Sequence, residues 1–285
     1  MKRYNAITLI LLFALFCIGI FGWNHEPWLY MWALAIGIFY NCKWLSLVHH
    51  PNVHSEVTFR KTYLFLWIGM DPTPFTEGSK KDFRRNSKYL LSGVLNILLG
   101  VGLIFSTSYL PKDQWLLNGW GACLGIIFVL HFGVFKLNAW FLRNLGFDVQ
   151  PIMKLPVATQ KISEFWGGRW NKAFNQLVYP FVHTPIKKKF SHKKAILLTF
   201  LVSGLVHELV ISLPAKAVWG LPTLYFIIQA IGMSIERNKA FCKLPRSLKY
   251  VFTYLIIAGP AIILFHPPFM KTVILPFIQT LGVGA

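Results

Sequence analysis

The feature that most limits what this chain can become is a series of apolar runs near 20 residues long, the length a helix needs to cross about 30 Å of hydrocarbon. They fall near residues 5–22, 28–48, 88–110, 115–138, 195–213, 217–235, 247–265 and 268–283. Backbone polar groups find no water in hydrocarbon, so runs like these fold as helices. The expectation is an all-α polytopic membrane protein of about eight transmembrane helices, forming a single membrane domain over residues 1–285. The first run follows Met1-Lys2-Arg3 as a secretory leader would, but no A-x-A-like site comes after it, so it counts as the first membrane helix. Composition agrees, with 55% hydrophobic and 14% charged residues against about 25% charged in an average soluble domain.

Charge then sets the topology. The formal net charge is +19, which in a soluble protein would suggest nucleic acid as a partner. Here the positions of the charges decide otherwise. With a cytosolic N-terminus, the loops on that side hold Lys2 and Arg3, Arg60 to Lys88, Arg143 to Lys194 and Arg237 to Lys249, 24 of the 29 basic residues. The opposite loops hold Lys112, Lys216 and Lys271, while Lys43 and Lys136 read as helix-end lysines. Such asymmetry is the positive-inside pattern, and it meets anionic headgroups rather than nucleic acid. Both termini are expected to be cytosolic. Compact length suits a bacterial inner membrane, with the endoplasmic reticulum as the alternative.

Tyr63 to Met70 is apolar but too short to cross before Asp71-Pro72-Thr73-Pro74 breaks it, so it reads as a re-entrant or interfacial segment. Cys17, Cys42, Cys123 and Cys242 are too dispersed for a disulfide or zinc framework. No repeat or Ser/Gly linker separates a second module. In the polar stretch from Arg143 to Lys194, Trp166, Trp170, Phe174, Tyr179 and Phe181 stand among lysines, as in an interfacial helix. Gly121-x-x-x-Gly125 fits close helix packing.

An ionisable side chain inside a membrane helix costs at least a few kcal/mol, so it is a functional candidate by default. His207 and Glu208 are such a pair, within Ser203-Gly204-Leu205-Val206-His207-Glu208 and about three turns from the cytosolic end of their helix. Ser203, four residues earlier, shares the face of His207 and is placed to bond a ring nitrogen. Gly204 leaves room for a ligand. A neutral imidazole there suits a general base, with a hydrogen-bonded structural histidine as the competing reading. Glu208 points about 100° away from His207, toward a neighbouring helix. His49, His50 and His54 resemble a metal cluster only superficially, because no acidic or cysteine ligand accompanies them and Pro51 disrupts their spacing. No metal site is expected. G-x-x-x-x-G-K-[ST], G-x-S-x-G and H-E-x-x-H are all absent from the sequence, which leaves nucleotide hydrolysis, a hydrolase serine and a zincin unsupported.

A second unusual segment is Phe165-Trp166-Gly167-Gly168-Arg169-Trp170-Asn171-Lys172. Its tryptophans share a face if it is helical, while the glycine pair argues for a break or a close backbone approach. This segment, followed some 35 residues later by Ser203-Gly204-x-x-His207-Glu208, resembles the membrane-bound O-acyltransferase (MBOAT) superfamily, and within it the wax-synthase-like branch. Trp67-Ile68-Gly69-Met70-Asp71 is similar to a third segment of that branch. The resemblance covers about residues 63–235. Gly168 stands where the branch commonly has a basic residue, and Ile68 where it commonly has proline.

The resemblance implies an MBOAT-like fold and O-acyl transfer from acyl-CoA, the acyl donor, to a hydroxyl acceptor such as a long-chain alcohol, with no cofactor. By it His207 is the catalytic histidine and Asn171 the matching asparagine. Trp166, Arg169, Trp170, Lys172, Ser203 and Glu208 would line the substrate site, and Lys187, Lys188 and Lys189 would meet the donor's phosphates. Two other classes stay open on the residues alone. One is a transporter whose proton or ion path uses His207, Glu208 and His131; the other is a silent relative that binds acyl-CoA without turnover. Acceptor identity, acyl chain length and oligomeric state are not written in the sequence.

Overall fold

The computed structural model describes residues 2–50, 57–75, 87–157 and 159–283. No strand occurs among the described residues, and six helices are long and apolar enough to cross a bilayer. The chain is therefore an all-α polytopic membrane protein. It divides into two compact units, residues 1–153 with 274–285, and residues 154–273. His54 and the loop cations Lys80, Lys81, Arg84 and Arg85 lie outside the described residues.

In the first unit, α1 (Lys2–Phe21) and α2 (Pro27–Val48) form a hairpin. Polar side chains fasten it from within: Trp44 Nε1 donates to Thr8 Oγ1 at 2.9 Å, and Asn41 Nδ2 to the carbonyls of Gly37 and Leu11. The outward face of α1 exposes Leu9, Phe13 and Phe16, the pattern of a helix solvated by lipid. Next, α3 (Val57–Leu66) has only 10 residues, about 15 Å of helix, so it does not cross. The chain after it runs irregularly from Trp67 to Asp71 and is held by backbone contacts. Lys43 of α2 donates to the Gly69 carbonyl at 2.8 Å, Tyr63 Oη to the Met70 carbonyl at 3.2 Å, and Asn138 Nδ2 to the Leu66 carbonyl at 2.7 Å. Lys43, expected at a helix end, is instead fully buried, its ammonium 3.4 Å from the centre of the Tyr63 ring.

Two long helices complete that unit, α4 (Ser87–Tyr109) and α5 (Trp115–Asn144). A Cβ at Gly100 would lie 2.6 Å from the Gly125 carbonyl oxygen, so only glycines allow the backbones this approach. Gly121 likewise faces Thr107 of α4. Both glycines of the G-x-x-x-G pair are thus used inside the chain. Residues 128–134 of α5 widen into a π turn around His131.

The second unit contains α6 (Lys172–Val178), α7 (Thr184–Lys189), α8 (His192–Ala215), α9 (Leu221–Ile235) and α10 (Arg246–Leu264). The expected run at 217–235 is shorter in the fold: α9 has 15 residues, about 22 Å against the roughly 30 Å of a membrane core. The run at 268–283 forms a helix over 267–280 that widens into a π turn at Met270–Ile274. Pro276 has no N–H to give, which is the physical reason for that turn, while Pro267 and Pro268 stand at the helix start, where no N–H is needed.

Candidate active site

The side chains that face the candidate site are arranged by α8. Ser191 caps it, its Oγ accepting from Lys194 N at 3.3 Å. From there His192, Ile196, Thr199, Ser203 and His207 recur every three or four residues, so all five fall on one helix face. That face forms one wall of a cavity of about 290 Å³. Trp166, Gly167, Trp170, Asn171 and Phe174 form another wall, and Phe226, Met233 and Arg237 a third. Directly after His207 the helix widens into a π turn at Glu208–Ser212, ahead of Pro214, whose ring has no N–H to give.

His207 is oriented by its own helix. Its Nδ1 lies 2.7 Å from the Ser203 carbonyl oxygen. A carbonyl only accepts, so Nδ1 carries the proton and Nε2 keeps the lone pair. The expected Ser203 contact is thus made by the main chain, while Ser203 Oγ donates to the Thr199 carbonyl at 3.1 Å. Phe226 packs on the imidazole with ring centres 4.5 Å apart. Gly204 gives room to a helix rather than to a ligand, since a Cβ there would lie 2.7 Å from Thr223 Cα of α9.

Glu208 does not line this cavity. Its Oε1 accepts from Gly220 N at 3.1 Å, Thr223 N at 3.0 Å and Thr223 Oγ1 at 2.9 Å. These are the donors that the start of α9 leaves unpaired, so a carboxylate from α8 caps its neighbour and complements its dipole. Together with Gly204, this cap fixes α9 against α8 and sets Phe226 over His207.

The motif segment is a short helical turn, Ile162–Glu164, followed by a π turn at Phe165–Arg169. Buried Glu236 holds its start by accepting from Ile162 N at 2.6 Å and Ser163 N at 3.1 Å. The wide turn sends the two tryptophans different ways. Trp166 enters an aromatic cluster with Phe200 and Phe226 and donates through Nε1 to Gln229 Oε1 at 3.3 Å. Trp170 stacks on Phe165 at 5.5 Å. Trp166, Trp170, Phe174 and Tyr179, expected as interfacial anchors, all line the cavity. Gly167 and Gly168 mark a change of helical pitch, and a Cβ at either meets nothing within 4 Å.

Asn171 has φ +43° and ψ +59° and caps α6, its Oδ1 accepting from Phe174 N at 3.1 Å. Asparagine suits both demands, because it tolerates the left-handed region and is a strong helix cap. Arg169 spends its guanidinium on Glu164, with Nη2 2.7 Å from Oε1, and on the Leu155 carbonyl. Lys172 also lies outside the cavity lining. Burial, and then the charge of Lys154, lower its pKa. Lys187, Lys188 and Lys189 are exposed at the end of α7, beyond the residues that line the cavity. Trp67 to Asp71 belong to the first unit.

The stretch that builds two of these walls is also the stretch that matches a known family. Residues 149–228 match the model of the membrane bound O-acyl transferase family. Over this stretch the chain is similar to that family. Three plant proteins are similar to parts of it. It is 26% identical over 137 residues to a putative long-chain-alcohol O-fatty-acyltransferase 10 of Arabidopsis thaliana, covering 43% of this chain and 41% of that protein. It is 30% identical over 101 residues to the probable long-chain-alcohol O-fatty-acyltransferase 6 of the same plant, covering 33% and 29%. To the long-chain-alcohol O-fatty-acyltransferase of Simmondsia chinensis it is 23% identical over 193 residues, covering 61% and 55%. The chain thus spans at most about half the length of these relatives.

Two buried polar residues of this site lie outside the sequence motifs. Gln229 is fully buried, bonding Trp166 through Oε1 and the Ile256 carbonyl through Nε2 at 2.7 Å. Glu236 acts on backbone more than 70 residues away. Gln229 had a findable mark, a polar side chain in an apolar run. Glu236, at a helix end beside Arg237, looked like an ordinary solvated carboxylate.

Proposed function

We propose that this chain is a membrane-embedded O-acyltransferase that moves a fatty acyl group from acyl-CoA to a hydroxyl acceptor, with a long-chain alcohol first among acceptors. The observation that carries the reading is His207: an imidazole on a membrane helix, fixed through Nδ1, with the lone pair on Nε2 and a cavity shared with Asn171. The family match over residues 149–228 and the names of the relatives support the same reaction class.

In the proposed reaction, His207 Nε2 takes the proton of the acceptor hydroxyl as its oxygen attacks the thioester carbonyl. Asn171 Oδ1 is committed to Phe174, so the bond it gives a substrate comes from Nδ2, which is suited to the carbonyl oxygen as it gains charge. The imidazolium then returns its proton to the departing thiolate, and the ester and free CoA leave. Trp166, Trp170 and Ser203 line the path of the acyl chain and thioester, while Glu208, through α9, keeps Phe226 on the imidazole. Lys187, Lys188 and Lys189, with Lys172 nearer the motif, supply a positive field for an anionic donor or anionic headgroups, while the charge of Arg169 is balanced by Glu164. We place this basic face and both termini on the cytosolic side. The bilayer, the donor and the acceptor are then the partners, in either membrane considered above.

The test is release of free CoA thiol from palmitoyl-CoA, measured with a panel of alcohols and sterols, beside His207→Ala. Alcohol-stimulated release that requires His207 is the expected result. Tight palmitoyl-CoA binding without release under any acceptor would replace the reading with that of a silent relative, and absence of binding would favour a transporter.

A further inference from the structure

The cavity has a second pole that the proposed chemistry does not use. His183, His192 and Arg237 line it together with Tyr179. The two imidazoles meet edge to face with centres 5.3 Å apart, and Tyr179 stacks on His183 at 4.8 Å, which holds that ring in place. The Nδ1 atoms of both histidines are buried and have no hydrogen-bond partner. Leaving one such atom unpaired costs about 1–3 kcal/mol, so two on adjoining rings call for a ligand. Every charged neighbour has the same sign. Burial lowers the pKa of His183, and His192, Lys187 and Arg237 lower it further. Glu236, next to Arg237 in sequence, spends both oxygens on Ile162 and Ser163, and Arg237 has no carboxylate partner among the described residues.

We propose that His183, His192 and Arg237 form a phosphate subsite at this pole of the cavity, which selects acyl thioesters carrying a phosphate over those without one. The subsite rests on the acyl-transfer reading for its ligand. Its geometry fits that ligand independently. His192 and His207 are 15 residues apart on α8, about 22 Å along the axis and about 60° around it. In a CoA thioester, about 13 bonds separate sulfur from the first phosphorus, roughly 15 Å at the rise of an extended chain. Hydrogen-bond contacts of about 3 Å at each end of the ligand close most of the difference. With the thioester at His207, the diphosphate therefore reaches the two rings and Arg237. A planar guanidinium and two ring N–H groups are suited to phosphate oxygens, and an arriving anion relieves the mutual repulsion of the three residues. The three lysines of α7 lie outside this lining and attract anions without holding them in register.

A phosphate could also belong to a lipid headgroup, and the experiment separates the sources. The full chain is placed in nanodiscs of phosphatidylcholine, and equilibrium binding is measured for palmitoyl-CoA and for palmitoyl-N-acetylcysteamine, the same thioester without phosphate. The variants are Arg237→Gln and the pair His183→Gln with His192→Gln. Expected is palmitoyl-CoA binding weakened about tenfold or more in each, the size of a lost charge-assisted hydrogen bond. Binding of the phosphate-free thioester should not change, and inorganic pyrophosphate should compete only in the wild type. Unchanged palmitoyl-CoA affinity overturns the subsite. So does equal weakening toward both thioesters, which would mean a deformed cavity. Displacement of palmitoyl-CoA by phosphatidylglycerol in the disc, lost in the same variants, would assign the residues to a headgroup instead. Binding is read without turnover, so trio-dependent binding with no CoA release under any acceptor would remove the acyl-transfer reading and leave the phosphate subsite standing.

Discussion

Lys43 in the first unit and His207 in the second are both ionisable side chains on apolar helices, and the fold treats them in opposite ways. Lys43 is sealed: its ammonium donates to the Gly69 carbonyl and lies over the Tyr63 ring. Those contacts close a turn of the chain and leave nothing for a substrate. His207 is held through Nδ1, which leaves the lone pair on Nε2, and it lines a cavity. A buried ionisable group in a membrane helix therefore divides into two kinds by how completely its own chain satisfies it. On the proposed function, Lys43 acts as an anchor and His207 as a reagent.

The comparison breaks most sharply at His207. His207→Ala should lower CoA release by about 10²–10⁴-fold, the usual contribution of a general base, while the protein still inserts and α8 stays helical by circular dichroism. A rate near wild type would make His207 a second Lys43. Asn171 comes next. Asn171→Ala should lose a cap worth about 1 kcal/mol and meet left-handed strain of about 1–2 kcal/mol, together with a roughly 10–100-fold loss of turnover if its amide meets the substrate. Asn171→Gly keeps the backbone conformation but not the amide, so recovered turnover in that variant would reduce Asn171 to a backbone role.

Lys43→Met sharpens the other side. It should lower thermal stability by about 1–3 kcal/mol, because the Gly69 carbonyl loses its donor, and leave turnover per folded molecule within about twofold. Lost turnover at full stability would mean that the sealed lysine reaches the chemistry after all. Glu208→Gln retains the Oε1 acceptor, so only a few tenths to about 1 kcal/mol of the dipole interaction should go; thermal melting beside Glu208→Ala, which removes the cap, checks it. Smallest is Gly168→Arg. The space around Gly168 is open, so expression and turnover should stay near wild type, and a large loss would show that the departure from the branch's basic residue matters.

The same contrast explains what the sequence made legible. The long helices were readable because hydrophobic length is a local property: the runs expected at 28–48, 88–110 and 247–265 correspond to Pro27–Val48, Ser87–Tyr109 and Arg246–Leu264. The start of α9 was not, because its N-terminus is fixed by a carboxylate 12 residues earlier on another helix. His207 stood out as a charge-bearing group in the middle of an apolar run. Lys43, five residues from the end of α2, reads in sequence as a helix-end lysine, and only tertiary packing turns it inward. The π turns at 165–169 and 208–212 leave no periodic trace in the sequence, yet they divide the two tryptophans and follow His207 directly. His183 and His192 carried little signal in sequence because their meaning lies in each other and in Arg237, which arrives from α9.

One consequence follows from the single helix that carries both His192 and His207. Two tools mounted on one rigid rod keep a constant separation however their surroundings repack, so, on the proposed reading, α8 is a ruler for the donor's fixed part. Inserting one residue between them would turn one tool by about 100° against the other and spoil the measure. The acyl tail, lying beyond the mark set by His207, is not gauged by this rod. Tail length can therefore be retuned through the walls around it while the fixed part of every donor is read at the same setting.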